Sequence, residues 1–532
     1  MKNRKTHRVI GLSVLSLIFG MSGITAQVVN EVSVFVKPGT EVHVYENMTN
    51  AATGSFTTGS QGLLYVNGTL VNNGSMTFEN SASLLRGSTT NDGTGSGTYY
   101  VKRLGSTGSI YNYWGSPMQV FTNPPGNPSY LYNSNLGTQD YSDDQPADPG
   151  WVTHNGGMTP GAGYAGLGAG QVTFSGDVNN GNVNFPLTFY PFSPGNTSPG
   201  TPFNLVGNPY PSAISCASLV AANPDINGSI YFWDDDFSGG TGYSYTDYAI
   251  WNGTGSLGTG GGSVGAPNGY IASGQGFKVR ALNGGAVLNF TNSMRVAGNN
   301  TQFFRQNGDD SRMWFSVEGN GHYNQILLGI LTDATDSEDR LYDAVKFRGN
   351  HNISLSAFNE GRDYAIMAFP PPHAEKSIPL TVFLEEPGTY TFRANVMENF
   401  QYQNVFFIDT KTSQAVELHE GTEISMFLDG GTYEERFYLN FYPDGFVGLP
   451  ETDENTFQIY SNDDVLYLFS TDGLNQIVPI EVFDLGGRLV LNSSTTLSNG
   501  SGTLSLVGIT DGIYVVRVAC QQGPIVQRIF KQ

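Results

Sequence analysis

Side chains able to do chemistry are sparse and scattered along these 532 residues. Beyond the first few positions the histidines are His43, His154, His322, His351, His373 and His419. None stands in His-Glu-x-x-His and no two share a helical turn, so a zinc hydrolase has no support. Gly161-Ala162-Gly163-Tyr164-Ala165-Gly166 spells a dinucleotide fingerprint. It follows Pro160 rather than an apolar strand, and glycine follows where a helix N-terminus would have to hold a pyrophosphate. Gly261-Gly262-Ser263-Val264-Gly265 spells a nucleophile elbow inside a glycine run, without the strand and helix that would expose its serine. The expectation is a protein that is not an enzyme.

Two acidic clusters and one aromatic stretch remain as binding candidates. Asp234, Asp235 and Asp236 lie in an aromatic-rich loop, and Asp333, Asp336, Glu338, Asp339 and Asp343 crowd a second segment. Calcium takes six to eight oxygens from such loops, so these carboxylates are candidate ligands, although neither cluster is an EF-hand and the alternative is a solvated acidic turn. No other cofactor is implied. Trp233, Tyr245 and Trp251, with Tyr243 and Tyr248 between them, are candidates for stacking on sugar rings, against the plainer role of filling a core. Two functions therefore compete. One is a structural, adhesive or glycan-binding module; the other is a polysaccharide hydrolase with its carboxylates within 99–300, which would need two of them about 5–9.5 Å apart.

The elements that must position these residues are strands. Gly 68 and Pro 26 mark a turn-rich chain, and 12% aromatic residues argue against disorder. The fold class is all-β and multidomain. Residues 27–98 hold short runs punctuated by Asn67-Gly68 and Asn72-Asn73-Gly74, which suit hairpins or the rungs of a small solenoid, with the solenoid preferred. Asn-Gly-Thr and Asn-Gly-Ser read as turns rather than glycosylation sites. Residues 99–300 form a loop-rich, Gly- and aromatic-rich β region. Its one helix is expected at 215–222, capped by Ser212 or Ser215 and stopped before Pro224. Residues 301–443 alternate as an antiparallel sandwich, with Met313, Phe315 and Val317 on one face and Tyr390, Phe392, Ala394 and Val396 on another. An acidic linker, 444–455, precedes a compact β-sandwich at 456–532. Cys216 and Cys520 fall in different regions and read as small buried residues rather than a disulfide.

Both ends speak of export. Lys2, Arg4, Lys5 and Arg8 precede an apolar core, Val9 to Phe19, and a small-residue site at Ile24-Thr25-Ala26, so 1–26 reads as a cleaved signal peptide. That core is too short to span a bilayer and no other stretch is long and apolar enough, so no transmembrane segment is expected. A formal charge of −21 repels nucleic acid and anionic membrane. In the last module Val478, Ile480 and Val482 alternate before a Gly-Gly turn. The strand after Asp511-Gly512 shows Tyr514, Val516, Val518 and Cys520 on one face with Ile513 and Val515 on the other, which predicts a central strand buried on both sides.

Three motifs in this module resemble those of the type A C-terminal sorting domain carried by cargo of the type IX secretion system of Bacteroidetes-type bacteria. They are Asp484-Leu485-Gly486-Gly487-Arg488-Leu489-Val490, Gly512-Ile513-Tyr514-Val515-Val516-Arg517-Val518 and Ile529-Phe530-Lys531-Gln532. The family's early Pro-Asn-Pro is absent, since Ile459-Tyr460 runs into Ser461-Asn462-Asp463. The resemblance implies an Ig-like sandwich read by the translocon. Asp484, Gly487, Arg488, Gly512, Tyr514, Arg517 and Lys531 carry the signal. It also implies delivery to the medium or the outer cell surface, where the passenger would meet glycans or surface proteins.

Overall fold

The computed structural model describes residues 27–87, 95–107, 110–126, 129–132, 151–189, 203–234, 248–259, 265–300, 310–346, 352–372, 376–400, 404–412, 414–442, 457–462, 464–470, 476–485, 487–498, 501–520 and 523–531. The expected signal peptide and linker lie outside them. The chain forms two compact units, one of Met1–Pro370, Val382–Asn399 and Glu420–Thr432, the other of Pro371–Thr381, Phe400–His419 and Tyr433–Gln532.

The first unit opens as a parallel β-solenoid. Gln27–Asn30, Asn47–Asn50 and Leu70–Asn72 stack in parallel on one face, and Glu41–Val44, Leu63–Val66 and Ser83–Arg86 on a second. The third face stacks Ser33–Val36, Ser55–Thr58, Ser75–Phe78 and Thr98–Leu104. Short strands suffice because each borrows its hydrogen bonds from the rungs above and below. The asparagines at the corners bond one another through the stack. Asn30 Nδ2 donates to Asn50 Oδ1 and Asn50 Nδ2 to Asn72 Oδ1, each at 2.7 Å. The buried amide groups of Asn30 and Asn50 thereby find acceptors, as a dry interior favours.

The solenoid does not end where composition changes. Thr98–Leu104 is its last parallel strand, and the same strand pairs antiparallel with Gln171–Gly176. One core accordingly runs from Val36 and Leu84 into Trp114, Phe121, Phe174 and Val178. The boundary expected at 98 is thus not a break in packing. Neither is the one at 300, because Phe203, Tyr231, Ile250 and Leu257 share a core with Leu327, Ala344 and Ile366.

The described residues of the middle region form four sheets, two of them larger than the others. One has Tyr111–Trp114, Tyr164–Leu167, Ser129–Tyr132 and Trp151–Thr153 in that order. The other has Phe203–Gly207, Gly276–Arg280, Ile230–Trp233, Tyr248–Trp251 and Ser256–Leu257. The helix Cys216–Ala222 forms as the sequence predicts, with Ser218 N–H donating to the Ser215 hydroxyl at 3.2 Å. Its buried Cys216 keeps a free thiol, whose pKa burial pushes well up. Asn208 fixes the loop before it, donating to the carbonyls of Ser212, Ile271 and Ala272 and accepting from Tyr210 N–H.

Beyond these sheets, Ser311–Gly319 and His322–Ile330 form a hairpin whose turn, Asn320-Gly321, takes φ of 53° and 81°. Two positive φ values match the twist of the flanking strands. Met313, Phe315 and Val317 point into the core as expected, as do Tyr390, Phe392 and Ala394 from the neighbouring Gly388–Glu398. Val396 is only half-buried.

In the second unit, Val405–Asp409 pairs with Gln414–Glu417 and Gly431–Phe441. The C-terminal module is a two-layer sandwich. Phe457–Asn462, Val465–Ser470 and Ser501–Ser505 make one sheet, and Leu489–Leu497, Gln476–Asp484, Gly512–Cys520 and Gly523–Lys531 the other. Gly512–Cys520 is central in its sheet, but among its described side chains only Tyr514, Val516 and Val518 are buried. Ile513 and Val515 are half-buried and Arg517 is exposed. The expectation of burial on both faces therefore fails, because a two-layer sandwich covers one face of each sheet.

Candidate functional site

In the first unit, the two middle sheets turn aromatic faces toward a shared cluster. Alternation selects the rings. Tyr111 and Tyr113 share a face, whereas Trp114 turns the other way into the solenoid-side core. Tyr113 and Tyr130 lie in register with Ala165 from either side, so their strands present rings on one surface. On the second sheet, Leu205 and Tyr231 flank Lys278, and Trp233 is registered with Tyr248. The result is a small buried floor of Tyr113, Ala165 and Leu205, ringed by partly exposed Tyr111, Tyr130, Trp151, Trp233 and Tyr248.

The geometry within this cleft is specific. Tyr113 stacks on Trp233 with ring centres 5.6 Å apart and an interplanar angle of 24°, and lies 5.8 Å from Trp151. Trp233 meets Tyr248 edge-on at 5.2 Å. The Tyr113 and Tyr248 hydroxyls are hydrogen-bonded at 2.6 Å, which ties one sheet to the other. Lys278 is 3% exposed, with Nζ 5.2 Å from the Tyr248 ring centre and 5.7 Å from that of Trp151. The sheets approach this closely because of Gly276, where a Cβ would come within 2.8 Å of the Tyr113 carbonyl carbon and Cβ. Flat apolar faces with a few polar groups at the base are the chemistry of a sugar-binding platform.

Of the three stacking candidates, Trp233 stands in this cleft. Trp251 does not. It sits on the opposite face of the same sheet, in the core with Leu219 and Val279, and its expected ligand role is withdrawn on that burial. Tyr245 lies outside the described residues. Tyr111, Tyr113, Tyr130, Trp151 and Lys278 were not singled out from sequence. The local signal was the alternation of Tyr111-Asn112-Tyr113 and of Gly276-Phe277-Lys278, but nothing local says which strands meet.

The acidic candidates behave as structural ties. Asp235 and Asp236 lie outside the described residues; Asp234 is buried and accepts from the Thr259 hydroxyl at 3.0 Å. Glu338 is ion-paired with both Arg280 and Arg362. Asp339 accepts from Thr335 N–H, and Asp343 accepts from the N–H groups of Asp339 at 2.7 Å and Ala368 at 2.8 Å. Asp333 and Asp336 are exposed. Burial pushes the Asp343 pKa up to about 7, against its two N–H partners and helped by Asp339 and Glu338. Arg340 from the same loop donates to the Val220 and Asn223 carbonyls, satisfying the C-terminus of the helix Cys216–Ala222. Among the described residues no three His, Cys, Asp or Glu side chains converge as metal ligands. The described carboxylates of 99–300 are Asp177, Asp225 and Asp234, each in a separate loop or turn.

In the second unit, the sorting motifs form two fixed turns. Asp484 caps the first, accepting from Arg488 N–H and Nε at 2.9 Å each while Gly487 takes φ of 76°. At the second, the Tyr514 hydroxyl donates to the Thr510 carbonyl at 2.7 Å. Lys531 Nζ reaches Asp511 at 3.0 Å and Asp464 at 2.9 Å, which pins the last strand. Gly512 opens the central strand, and Arg517 approaches Glu481 at 3.4 Å. This unit also holds a cavity of about 1050 Å³, lined mainly by hydroxyl, amide and aliphatic side chains such as Thr410, Gln414, Asn440 and Gln527. It contains none of the rings of the cleft.

The family model described as Domain of unknown function (DUF8693) matches residues 24–441, and the chain belongs to that family. The model described as Secretion system C-terminal sorting domain matches residues 455–532. The chain is therefore type IX secretion cargo, addressed to that machinery for release or surface attachment. No curated protein matches it. Among solved structures, a polysaccharide lyase aligns over 42% of this chain and 39% of its own, with 7% identity and a TM-score of 0.13. A β-1,2-glucanase from Parabacteroides distasonis aligns over 34% and 36%, with 10% identity and a TM-score of 0.10. This chain thus spans well under half of either, and at such scores neither likeness bears on fold or activity. Among the described residues no helix is long and apolar enough to cross a membrane.

Proposed function

We propose that the passenger is a non-catalytic glycan-binding module, exported by its sorting domain and displayed or released outside the cell. The observation that carries this reading is the cleft itself. Five partly exposed rings surround a small buried floor, where the other described core clusters have at most two such rings against them. Pyranose faces stack on such rings, and the Tyr113–Tyr248 hydroxyl pair offers hydrogen bonds at the base. Binding needs no calcium on this reading, since both oxygens of Glu338 and of Asp343, and Oδ2 of Asp339, already meet the protein's own donors.

The test is a glycan array probed with the full-length chain, with calcium and with chelator, while the same sugars are assayed for new reducing ends. Binding that survives chelation and releases no reducing ends is the expected result. Trp233→Ala should weaken it by about tenfold, the order of one lost stacking contact. Release of reducing ends would replace the reading with that of a polysaccharide hydrolase. Loss of binding on chelation would return the acidic residues to the role of calcium ligands.

A further inference from the structure

We infer that Lys346 and Asn324 become joined through their side chains in an isopeptide bond, formed by the folded chain with loss of ammonia. The inference is independent of the glycan-binding reading. Lys346 Nζ donates to Asn324 Oδ1 at 2.7 Å, and the two residues are 9% and 7% exposed. The same oxygen accepts from Leu355 N–H at 3.0 Å. Two donors on one atom fix which end of the amide is oxygen. The carbonyl carbon therefore lies one bond beyond the atom that the amine already touches.

Strand order brings a proton carrier to the same place. Ile366 pairs in parallel with Leu327 and antiparallel with Ala344, so Arg362–Phe369 runs between the strands His322–Ile330 and Ala344–Val345. Three positions before Leu327 and Ile366, Asn324 comes level with Asp363. From the opposite edge, Lys346 N–H donates to the Asp363 carbonyl at 2.8 Å, which places these two residues across from each other on one face. The Asp363 carboxylate is held by the buried Ser356 hydroxyl, which donates to Oδ1 at 2.8 Å.

Low dielectric disfavours both members of an ion pair, so the ammonium can pass a proton to the carboxylate. The neutral amine, already in place, attacks Asn324 Cγ. As the C–N bond forms, charge moves onto Oδ1, where Leu355 N–H stabilises it. Asp363 gives its proton to the leaving nitrogen, the Cγ–Nδ2 bond breaks, and the carboxylate takes the second amine proton. Ammonia carries that proton away as ammonium. Atoms and charge balance, Asp363 is regenerated, and no oxidant or cofactor is consumed. The bond encloses the acidic loop between residues 324 and 346, and it constrains the unfolded chain as a disulfide does.

The test is mass spectrometry of tryptic peptides from the folded full-length chain. Without the bond, Asn324 is carried by Met313–Arg340 and Lys346 ends Leu341–Lys346. With it, Lys346 is blocked to trypsin, and Met313–Arg340 should be recovered joined to Leu341–Arg348. The joined species should weigh about 17 Da less than the two peptides together, the mass of ammonia. Asp363→Asn should leave the peptides separate, with a thermal melt to show that the variant is folded. Wild type recovered wholly as separate peptides overturns the inference, needs no variant, and reduces the contact to a hydrogen bond. A link from Lys346 to any residue other than Asn324 overturns the pairing. A link that persists in folded Asp363→Asn overturns the proton-carrying role of Asp363.

Discussion

Replacing Asp343 by Asn puts a number on the acidic loop. The residue is 4% exposed, and its two carboxyl oxygens accept from Asp339 N–H and Ala368 N–H. Glu338 and Asp339 add negative charge nearby, and Tyr364, Arg362 and Arg280 stand in the same field. Burial lifts the folded pKa to about 7 from an ordinary 3.8. Between these two values the folded protein binds more protons than the unfolded chain, so this group's contribution to stability falls as pH rises. It is complete below about pH 4 and gone above about pH 7. Three pKa units at 1.36 kcal/mol each bound the effect at about 4 kcal/mol. Denaturant unfolding of wild type and Asp343→Asn should be followed from about pH 4.5 to about pH 7.5, the span of that transition. The wild type should lose stability relative to the variant by up to that bound, because the amide does not titrate. Other carboxylates shift both curves together, so only the difference matters. Parallel curves would show that Asp343 stays ionised throughout, with its N–H bonds outweighing burial.

Three further substitutions test separate parts of the argument. Arg295 is buried, with donors to the Leu84 carbonyl, the Ser212 hydroxyl and Asn180 Oδ1, and its guanidinium lies over the Tyr210 ring; burial pulls its pKa down to about 9. Arg295→Met should therefore destabilise by about 3 kcal/mol, since orphaned acceptors outweigh relief of the buried charge, and an unchanged denaturation midpoint counts against it. Gly276→Ala should push Tyr113 from its place and weaken glycan binding by about tenfold while secretion continues; unimpaired binding in a titration would show that the cleft tolerates wider spacing. Lys531→Met should loosen Gly523–Lys531, seen as faster amide hydrogen exchange along that strand, and unchanged protection would mean that the two carboxylates do not hold it.

Local chemistry was legible in the sequence and remote assembly was not. The Asp484–Arg488 turn and the helix behind Ser215 rest on residues within four positions of one another, where spacing and geometry coincide. The Asn-Gly corners foretold a solenoid for the same reason: each rung repeats one local solution, and the stacked amides of Asn30, Asn50 and Asn72 follow from the repeat. Alternation also fixed which way Met313, Phe315 and Val317 point. It could not separate Trp233 from Trp251, because both sit in aromatic strands and the face that becomes core depends on where the helix Cys216–Ala222 packs. Tyr113 and Tyr248 are 135 positions apart, and only the pairing order of two sheets brings their hydroxyls together. The acidic loop shows the same limit. Its carboxylates look like ligands in a row, yet their partners, Arg280, Arg362 and Ala368, come from other strands, and those partners turn the loop into a tie across the first unit. A cluster of like charges in sequence thus says little until the donors facing it are known.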